Sequence, residues 1–248
     1  MLPMAKCSSY HSRMTQPSDK RASIFDTPAY PASEAARILN LSVNTVRSWC
    51  FGQNYRSAAG KLKRFQPVIQ PADTKGRLLS FANLCELHVL SAIRRHHKIP
   101  LPKVRESMSY LHAKLDSDRP LLNRQFLTNG IDLFVEHASQ LLNVSQQGQE
   151  ALRGDFESAL ARIERDRKGA PIRLFPFSRT AGTEQPRAIV IDPRLAFGRP
   201  VLSSVAVRTD VIVGRFRAGD SMQEMAKDYG VDEKEIEEAL RFEQRRSA

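Results

Sequence analysis

The residues best suited to recognise another molecule lie on one predicted helix, Ser42–Cys50. The apolar face that packs inward consists of Val46, Trp49 and Cys50, at positions i, i+3 and i+4 of the helix. On the opposite face, Arg47 could pair with a phosphate or bidentately with a guanine, and Asn44 could pair with an adenine edge. The outward face as a whole consists of Val43, Asn44, Arg47 and Ser48, and its chemistry suits the major groove of DNA.

A short helix and a tight connection precede the helix at Ser42–Cys50. Pro31–Leu39 carries apolar residues at helical spacing, and Asn40-Leu41 leaves room only for a tight turn. Ser42 is a suitable N-cap for the next helix, because its hydroxyl can accept a hydrogen bond from an unpaired backbone N–H. Two short helices joined in this way are typical of a helix-turn-helix. A helical hairpin without a DNA-binding role is the alternative from these residues alone.

A basic segment follows, Tyr55–Leu79, in which glycines and prolines separate the cations. Val68-Ile69 and Leu78-Leu79 are the two short strands predicted there. A basic hairpin directly after a recognition helix is typical of a wing that lies along the phosphate backbone, and a solvated loop is the alternative. The predicted phosphate contacts are Arg56, Lys61, Lys63, Arg64 and Arg77.

The distribution of charge favours the wing. The chain has 248 residues and a net charge of +11. Residues 28–115 hold 14 Lys and Arg but only 4 Asp and Glu, so nearly all of the excess lies in this segment. A charge that served only solubility would be spread along the chain, whereas a concentrated one is the footprint of a protein that binds a polyanion.

The sequence lacks the motifs that indicate a disulfide framework, a metal site or an enzyme. The cysteines, Cys7, Cys50 and Cys85, are scattered and form no C-x-x-C pair, which argues against a disulfide framework or a zinc site. No phosphate-binding loop, zinc-protease motif or nucleophile elbow occurs in the sequence. The adjacent His96-His97 pair makes a poor metal site, and the acidic run at 232–238 is typical of a solvated helix face. We therefore expect no catalysis, no metal and no cofactor.

The N-terminal tail, residues 1–27, is polar and contains no apolar core of a signal peptide. No apolar run in the chain approaches the roughly 20 residues that a membrane helix needs. We therefore expect a loose tail on a cytoplasmic protein that does not associate with a membrane.

The middle segment, residues 116–185, is predicted to be mixed. Phe126–Thr128 and Ile131–Val135 flank Asn129-Gly130, and an Asn-Gly pair between apolar runs favours a β-hairpin. Leu141–Val144 is a further candidate strand, and Gln146–Gln149 is predicted as a turn. The remaining expectations are a helix over Gln149–Arg167, a strand over Ile172–Phe175 and a linker over residues 178–187.

The C-terminal segment, residues 186–248, predicts a second helix-turn-helix outline. A strand is expected at Ile189–Ile191, and helices are expected over Thr209–Ala218, from Ser221 and over Asp232–Phe242. Residues 218–248 hold 5 basic and 9 acidic groups, and carboxylates near phosphates would repel them. This segment is therefore expected to serve dimerisation or partner docking. The acidic residues expected on its exposed surface are Asp232, Glu233, Glu235, Glu237 and Glu238.

The N-terminal part resembles a known family. YPASEAARILNLSVNTVRSW, the basic wing and GRLLSFANLCELHVLSAIRRHHKIPLPKVRESMSYL are together similar to the DNA-binding domain of MerR-type regulators. The resemblance implies that Thr45 and Arg47 touch the backbone or bases and that Trp49 is a core residue. The long dimerising coiled coil and the effector site of MerR proteins do not follow in this chain.

Residues 28–245 as a whole resemble VapB-type antitoxins with a MerR-like N-terminal domain. The likeness rests on RQFLTNGIDLFVE, GQEAL and RLFPFSR in the middle and on IDP, FGRPVL, TDVI and the MA-x-DYGV pattern in the C-terminal segment. It implies a PIN-domain ribonuclease toxin as partner, neutralised by this protein, and repression of its own operon. A guanidinium entering the toxin's acidic metal site would explain inhibition. The candidates are Arg162, Arg165, Arg173, Arg245 and Arg246.

The sequence therefore predicts a mainly α protein with small β elements (α+β). Its parts are a flexible tail (1–27), a winged helix-turn-helix (28–115), a middle region with a linker (116–185) and a C-terminal helical domain (186–248). We expect a homodimer, because one small head covers few base pairs and operators are usually two-fold. A stand-alone regulator that senses a small ligand is the alternative, and it predicts a pocket within residues 116–185.

Overall fold

The computed structural model describes residues 23–56, 60–97, 100–123, 126–142, 145–179 and 186–245. These residues form the predicted α+β fold, mainly helical with small antiparallel sheets. Within them, no helix is both long enough and apolar enough to span a bilayer. Residues 23–27, predicted as part of a loose tail, form a turn against the body of the protein. The amide of Ala82 donates to the carbonyl of Phe25 at 2.9 Å, and the Phe25 ring packs on Phe81.

The predicted helix-turn-helix is present. Strand β1 (Tyr30–Pro31) leads into helix α1 (Ala32–Leu39), and helix α2 covers Val43–Phe51. Asn40 turns the chain between the helices with a left-handed backbone (φ 52°), a conformation that asparagine tolerates. Ser42 caps α2 as predicted, since its Oγ accepts a hydrogen bond from the amide of Thr45, the third residue of the helix.

The wing is formed by other residues than the sequence predicts. Strands β2 (Gln53–Arg56) and β3 (Leu62–Phe65) pair antiparallel. The prediction of a strand at Val68-Ile69 is wrong: both side chains are buried in a bend, and their amides donate to the Trp49 carbonyl at 2.7 and 3.0 Å. The strand predicted at Leu78–Leu79 exists as β4, but it pairs with β1. The apolar residues after the wing therefore pack in the core and are not part of the β2–β3 hairpin.

Two longer helices complete the N-terminal part, α3 (Phe81–His97) and α4 (Leu101–Leu115). Ser80 caps α3, because its Oγ accepts a hydrogen bond from the amide of Asn83 at 3.2 Å. All side chains from 81 to 92 on α3 are buried, so this helix is the centre of the larger core.

The middle segment is helical where the sequence predicts a β-hairpin. Phe126–Gly130 forms a π-helical turn and Ile131–Leu142 forms helix α5, so the Asn-Gly pair lies in helical structure. Phe126 and Phe134 are both buried against Phe156, with ring centroids 5.5 and 5.1 Å apart. A short apolar run fits either a buried strand or a buried helix, and here the packing of these rings selects the helix.

Three further predictions in this segment are wrong. The strand at 141–144 is absent among the described residues, because Leu141 belongs to α5; residues 143–144 lie outside the description. The turn at Gln146–Gln149 is the first turn of helix α6 (Gln146–Leu160), which Ser145 caps. Helix α6 ends at residue 160 and not at 167, since the chain enters strand β5 (Ile163–Arg165).

Strand β5 pairs with β6 (Pro171–Leu174), which confirms the strand predicted at 172–175. Residues 180–185 of the predicted linker lie outside the description.

The strand and the helices predicted in the C-terminal segment are confirmed. Strand β7 (Ile189–Val190) pairs with β8 (Val201–Leu202). Ser221 caps the helix that is predicted to begin there, through a capping box with Glu224. The helices are α7 (Thr209–Ala218), α8 (Met222–Tyr229) and α9 (Glu233–Gln244).

Two main hydrophobic cores organise the described chain. The larger runs from Tyr30 to Ile191, so the predicted DNA-binding domain and the middle segment share one core, in which α3 packs on α6. The smaller joins β7 to the C-terminal helices, from Ile189 to Phe242. The two parts meet where the Tyr30 hydroxyl donates to the carbonyl of Gly198 at 3.0 Å. The helix-turn-helix is therefore fixed to the rest of the protein and is not a loosely tethered head.

Candidate nucleic-acid interface

Helix α2 presents most of its predicted outward face to solvent. Asn44 and Arg47 are exposed, and Val43 and Thr45 are half-buried. The prediction that Ser48 is exposed is wrong, because only 8% of it is accessible. The last turn of α2 enters the core, so nearly its whole circumference is buried there. The contact surface of α2 is therefore formed by Val43, Asn44, Thr45 and Arg47.

The side chain and the backbone carbonyl of Trp49 together fix the orientation of α2. The Trp49 side chain is fully buried, and its carbonyl accepts both amides of the bend at 68–69. The helix is thereby fixed to the segment that returns from the wing. Because α2 and the wing share this anchor, the two surfaces keep one relative position.

The β2–β3 hairpin places two of the predicted wing cations on one face. Arg56 lies opposite Leu62, and Asn54 lies opposite Arg64. Residues directly opposite each other in an antiparallel pair share a face, so Arg56 and Arg64 lie on the same one. Lys63 pairs with Tyr55 in the register, and its side chain lies outside the description. Lys61, just before β3, is exposed.

Two cations that are distant in sequence meet at the end of α2. The Nη2 of Arg64 donates to the Phe51 carbonyl at 3.3 Å. The guanidinium of Arg77 lies 4.8 Å from the centre of the Phe51 ring. Both contacts hold a positive charge beside the helix that carries Arg47. Sequence reasoning names these arginines but gives no reason for them to be close together.

Arg105 on α4 supports the wing from behind, a role that the sequence analysis misses. Its guanidinium lies 4.4 Å from the centre of the Phe65 ring, and its Nε donates to the Gln66 carbonyl at 2.9 Å. Phe65 in turn stacks on Tyr55, with ring centroids 3.9 Å apart. Burial lowers the pKa of Arg105 from its usual value. The signal in the sequence is weak, since one arginine in an amphipathic helix usually faces solvent.

The cations at this surface are available for phosphates. Among the residues that the structure describes, no carboxylate forms an ion pair with Arg47, Arg56, Lys61 or Arg77. The C-terminal arginines differ: Arg215, for example, contacts Asp220 and Asp228. A positive surface without internal counterions is what binding to a polyanion requires.

Two of the arginines predicted to contact a toxin brace the protein instead. Arg162 is buried, donates to the carbonyls of Phe175 and Pro186, and has its pKa lowered to about 10 by that burial. Its proposed entry into a toxin site is therefore wrong. Arg165 is half-buried and donates to the carbonyls of Leu122 and Gly169.

The other candidates differ in exposure. Arg173 keeps 44% of its side chain exposed while it pairs with Asp192 and Glu164. Arg245 donates to the Phe177 carbonyl, and its guanidinium lies over the Phe242 ring. Arg246 lies outside the described residues. Arg173 is thus the described candidate with the most accessible guanidinium.

The last helix is acidic, although one predicted residue is not on its surface. Glu238 is only 3% exposed and accepts hydrogen bonds from Ser178 Oγ and Arg179 Nε, both at 2.9 Å. Glu233 and Glu237 are exposed as predicted. The exposed carboxylates of α9 make this second helix-turn-helix unsuited to a DNA groove.

No group of three or more metal-ligating side chains occurs in the described part of the chain. Cys50 and Cys85 are free thiols buried in the core, and burial raises the pKa of each well above its ordinary range. Cys7 lies outside the description.

The fold and the cationic surface define a winged helix-turn-helix protein with a second, small helical domain. Residues 28–108 match the family described as "Putative DNA-binding HTH domain". Residues 189–242 match the family described as "Protein of unknown function (DUF433)", and these bounds coincide with the smaller hydrophobic core.

Relatives over nearly the whole chain come from Mycobacterium tuberculosis. The chain is 29% identical to "Putative antitoxin VapB45", over 87% of this chain and 94% of the relative. It is 25% identical to "Uncharacterized protein Rv2308", over 89% and 92% of the two chains. The crystal structure of Rv2018 has the same fold, with a TM-score of 0.61 at 22% identity over 87% of this chain and 98% of that one.

The predicted resemblance to VapB-type antitoxins is thereby confirmed. The comparisons support an antitoxin or DNA-binding role and point to a regulator without enzymatic activity.

Proposed function

We propose that this protein is the antitoxin of a type II toxin–antitoxin pair. It binds and neutralises a PIN-domain ribonuclease toxin, and as a cytoplasmic homodimer it represses its own operon by binding DNA. The observation that carries the proposal is the exposed outer face of α2, flanked by cations that pair with no carboxylate among the described residues, in a chain similar to an antitoxin over 87% of its length.

The geometry of the site supports DNA binding. Helix α2 enters the major groove with the accessible face of its N-terminal half, where Arg47 meets a guanine or a phosphate and Asn44 meets an adenine edge. The wing lies along the adjacent backbone, where its cations displace counterions. The proposed contacts are Val43, Asn44, Thr45, Arg47, Arg56, Lys61, Lys63, Arg64 and Arg77.

Replacing Arg47 by alanine should weaken binding to the upstream region of the gene about 5- to 150-fold, or about 1–3 kcal/mol, as expected for a base contact. Arg47 is exposed, so the variant should fold normally. Fluorescence anisotropy with a labelled duplex measures the change. Lys234→Ala, which removes an exposed cation from α9, is the matched control and should bind like wild type. Equal affinities for Arg47→Ala and wild type would exclude α2 as the reading helix.

Toxin neutralisation is tested with the product of the adjacent reading frame. Co-expression of this protein should restore growth that the neighbouring product arrests, and the two proteins should elute together in size-exclusion chromatography. A neighbour that is not a nuclease, or a nuclease that this protein neither binds nor inhibits, would refute the antitoxin assignment. The DNA-binding assignment would stand independently.

The second candidate function is a stand-alone MerR-like regulator without a toxin partner, and one observation favours it. A cavity of about 710 Å³ opens beside the wing and is lined by Asp26, Val68, His112, Asp118 and Arg119, among others. A small effector bound there would lie against the segment that returns from the wing. Only part of this lining falls within residues 116–185, where the sequence predicts such a pocket.

A further inference from the structure

One loop of the C-terminal domain directs an aromatic ring into solvent. Phe197, between β7 and β8, is 95% exposed, more than any other large apolar side chain of the described chain. Its neighbours Leu195 and Ala196 pack partly against a small cluster with Phe175 and Val190. The two residues before Phe197 are therefore half-buried against the domain, whereas the Phe197 ring lies in solvent.

The backbone that holds this ring is strained and fixed. Ala196, Phe197 and Gly198 have φ angles of 46°, 56° and 75°, three successive residues in the left-handed region. Alanine and phenylalanine adopt it only at a cost in free energy, and such strain is concentrated at functional sites. The Tyr30 hydroxyl donates to the Gly198 carbonyl, and a Cβ on Gly198 would lie 2.1 Å from the Tyr30 oxygen. The ring is thus displayed from a rigid support.

The segment around the ring carries exposed arginines. Residues 192–210 contain three arginines and two aspartates. Arg194, Arg199 and Arg208 each pair with a carboxylate, yet their side chains remain 49%, 44% and 42% exposed. A guanidinium has five donors, so each can bind a further carboxylate while it keeps its internal partner. An apolar anchor bordered by arginines is the composition of an interface hot spot.

We infer that Phe197 is the anchor by which this protein binds its toxin, with the ring in an apolar socket of the toxin and toxin carboxylates facing the three arginines. The inference rests on the proposed antitoxin function and names the surface that performs it. Rigid display lowers the entropic cost of binding, because neither the loop nor its backbone has to be ordered on contact.

Two other occupants are outcomes of the test. A second copy of this chain that met the loop as ring against ring would bury far less than the roughly 800 Å² per partner of a stable interface. Reciprocal insertion of the two rings would close a two-fold dimer, and it would show as a change in oligomeric state when the ring is removed. DNA is disfavoured because Glu34, the partner of Arg199, and Glu243, the partner of Arg37, bring carboxylates to this side of the protein.

The test compares Phe197→Ala with Phe216→Ala, a matched control that removes another exposed phenylalanine (42%) from the same domain. Full-length proteins are titrated by calorimetry with the purified product of the adjacent reading frame. Phe197→Ala should lower the affinity about 30-fold or more, as for a hot-spot residue. Phe216→Ala should change it less than about 3-fold, within the range of peripheral interface contacts. Both variants should keep the wild-type affinity for upstream DNA and the wild-type oligomeric state.

Three results would overturn the inference: equal affinities of Phe197→Ala and wild type, equal losses in the two variants, or a Phe197→Ala defect in DNA binding or oligomerisation instead. If the wild-type protein binds no such product, the proposed toxin partnership itself fails, and that outcome is separate from the failure of Phe197 alone.

Discussion

Replacing Trp49 by alanine should lower the free energy of unfolding by about 3–5 kcal/mol, the usual cost of deleting a large aromatic ring from a core. The side chain is fully buried, and it lies on the inner face of the helix whose outer face carries Arg47. The variant should therefore lose specific DNA binding together with stability. Urea unfolding followed by circular dichroism measures the first effect, and anisotropy with upstream DNA measures the second.

A conservative variant separates packing from any direct contact by Trp49. Trp49→Phe keeps an aromatic ring in the core, so it should lose less stability and retain DNA binding. If Trp49→Ala unfolds at the same urea concentration as wild type, the packing described for α2 is wrong.

The stability of the protein should fall as the pH rises from about 5 to about 8, in part through Glu86. Burial raises the pKa of this carboxyl from 4.5 to about 7, although Arg119 and Asn83 bind it at 2.9 Å and favour the charged form. The folded protein therefore holds this proton more tightly than the unfolded chain. The stabilisation is full below the unfolded pKa and is lost as the pH rises through the folded value. The corresponding change is about 2–3 kcal/mol between pH 5 and pH 8.

Glu86→Gln isolates this contribution, since an amide of nearly the same shape does not titrate. Relative to wild type, the variant should gain about 2–3 kcal/mol between pH 5 and pH 8, and other titrating groups cancel in the comparison. Urea unfolding at the two pH values gives both free energies. Parallel pH profiles for the two proteins would show that Glu86 does not keep its proton in the folded state.

Local signals explain which elements could be predicted from sequence. Helix α8 is predictable because Ser221 and Glu224 form a capping box three residues apart, and α2 because Ser42 caps a helix with a clear apolar face. The Asn-Gly pair at 129–130 is a strong turn signal on its own. It is overruled by the burial of Phe126 and Phe134 on Phe156, whose sequence separation hides the contact.

The sequence predicts the helix that carries the site, but it does not predict how the wing and its supporting residues come together beside that helix. Strand β2 is polar throughout, so no alternation of apolar residues marks it as half of the wing. Arg64 and Arg77 meet at Phe51 only because the chain returns through the bend at 68–69. Arg105 reaches the wing across 39 residues, by a contact that no local pattern reveals. Contacts between residues so far apart in sequence depend on how the core packs. The sequence shows which apolar residues are available for the core, but not how they pack together.

The most direct measurement of the central claim, that α2 and the wing form a DNA-binding surface, is the salt dependence of binding to upstream DNA. For wild type, the logarithm of the association constant should fall linearly with the logarithm of the salt concentration, because bound cations release counterions. A variant with Arg56, Lys61 and Arg77 all changed to glutamine should show a shallower slope, by about one for each phosphate contact removed. Equal slopes for the two proteins would contradict the account, since the wing cations would then lie away from the duplex.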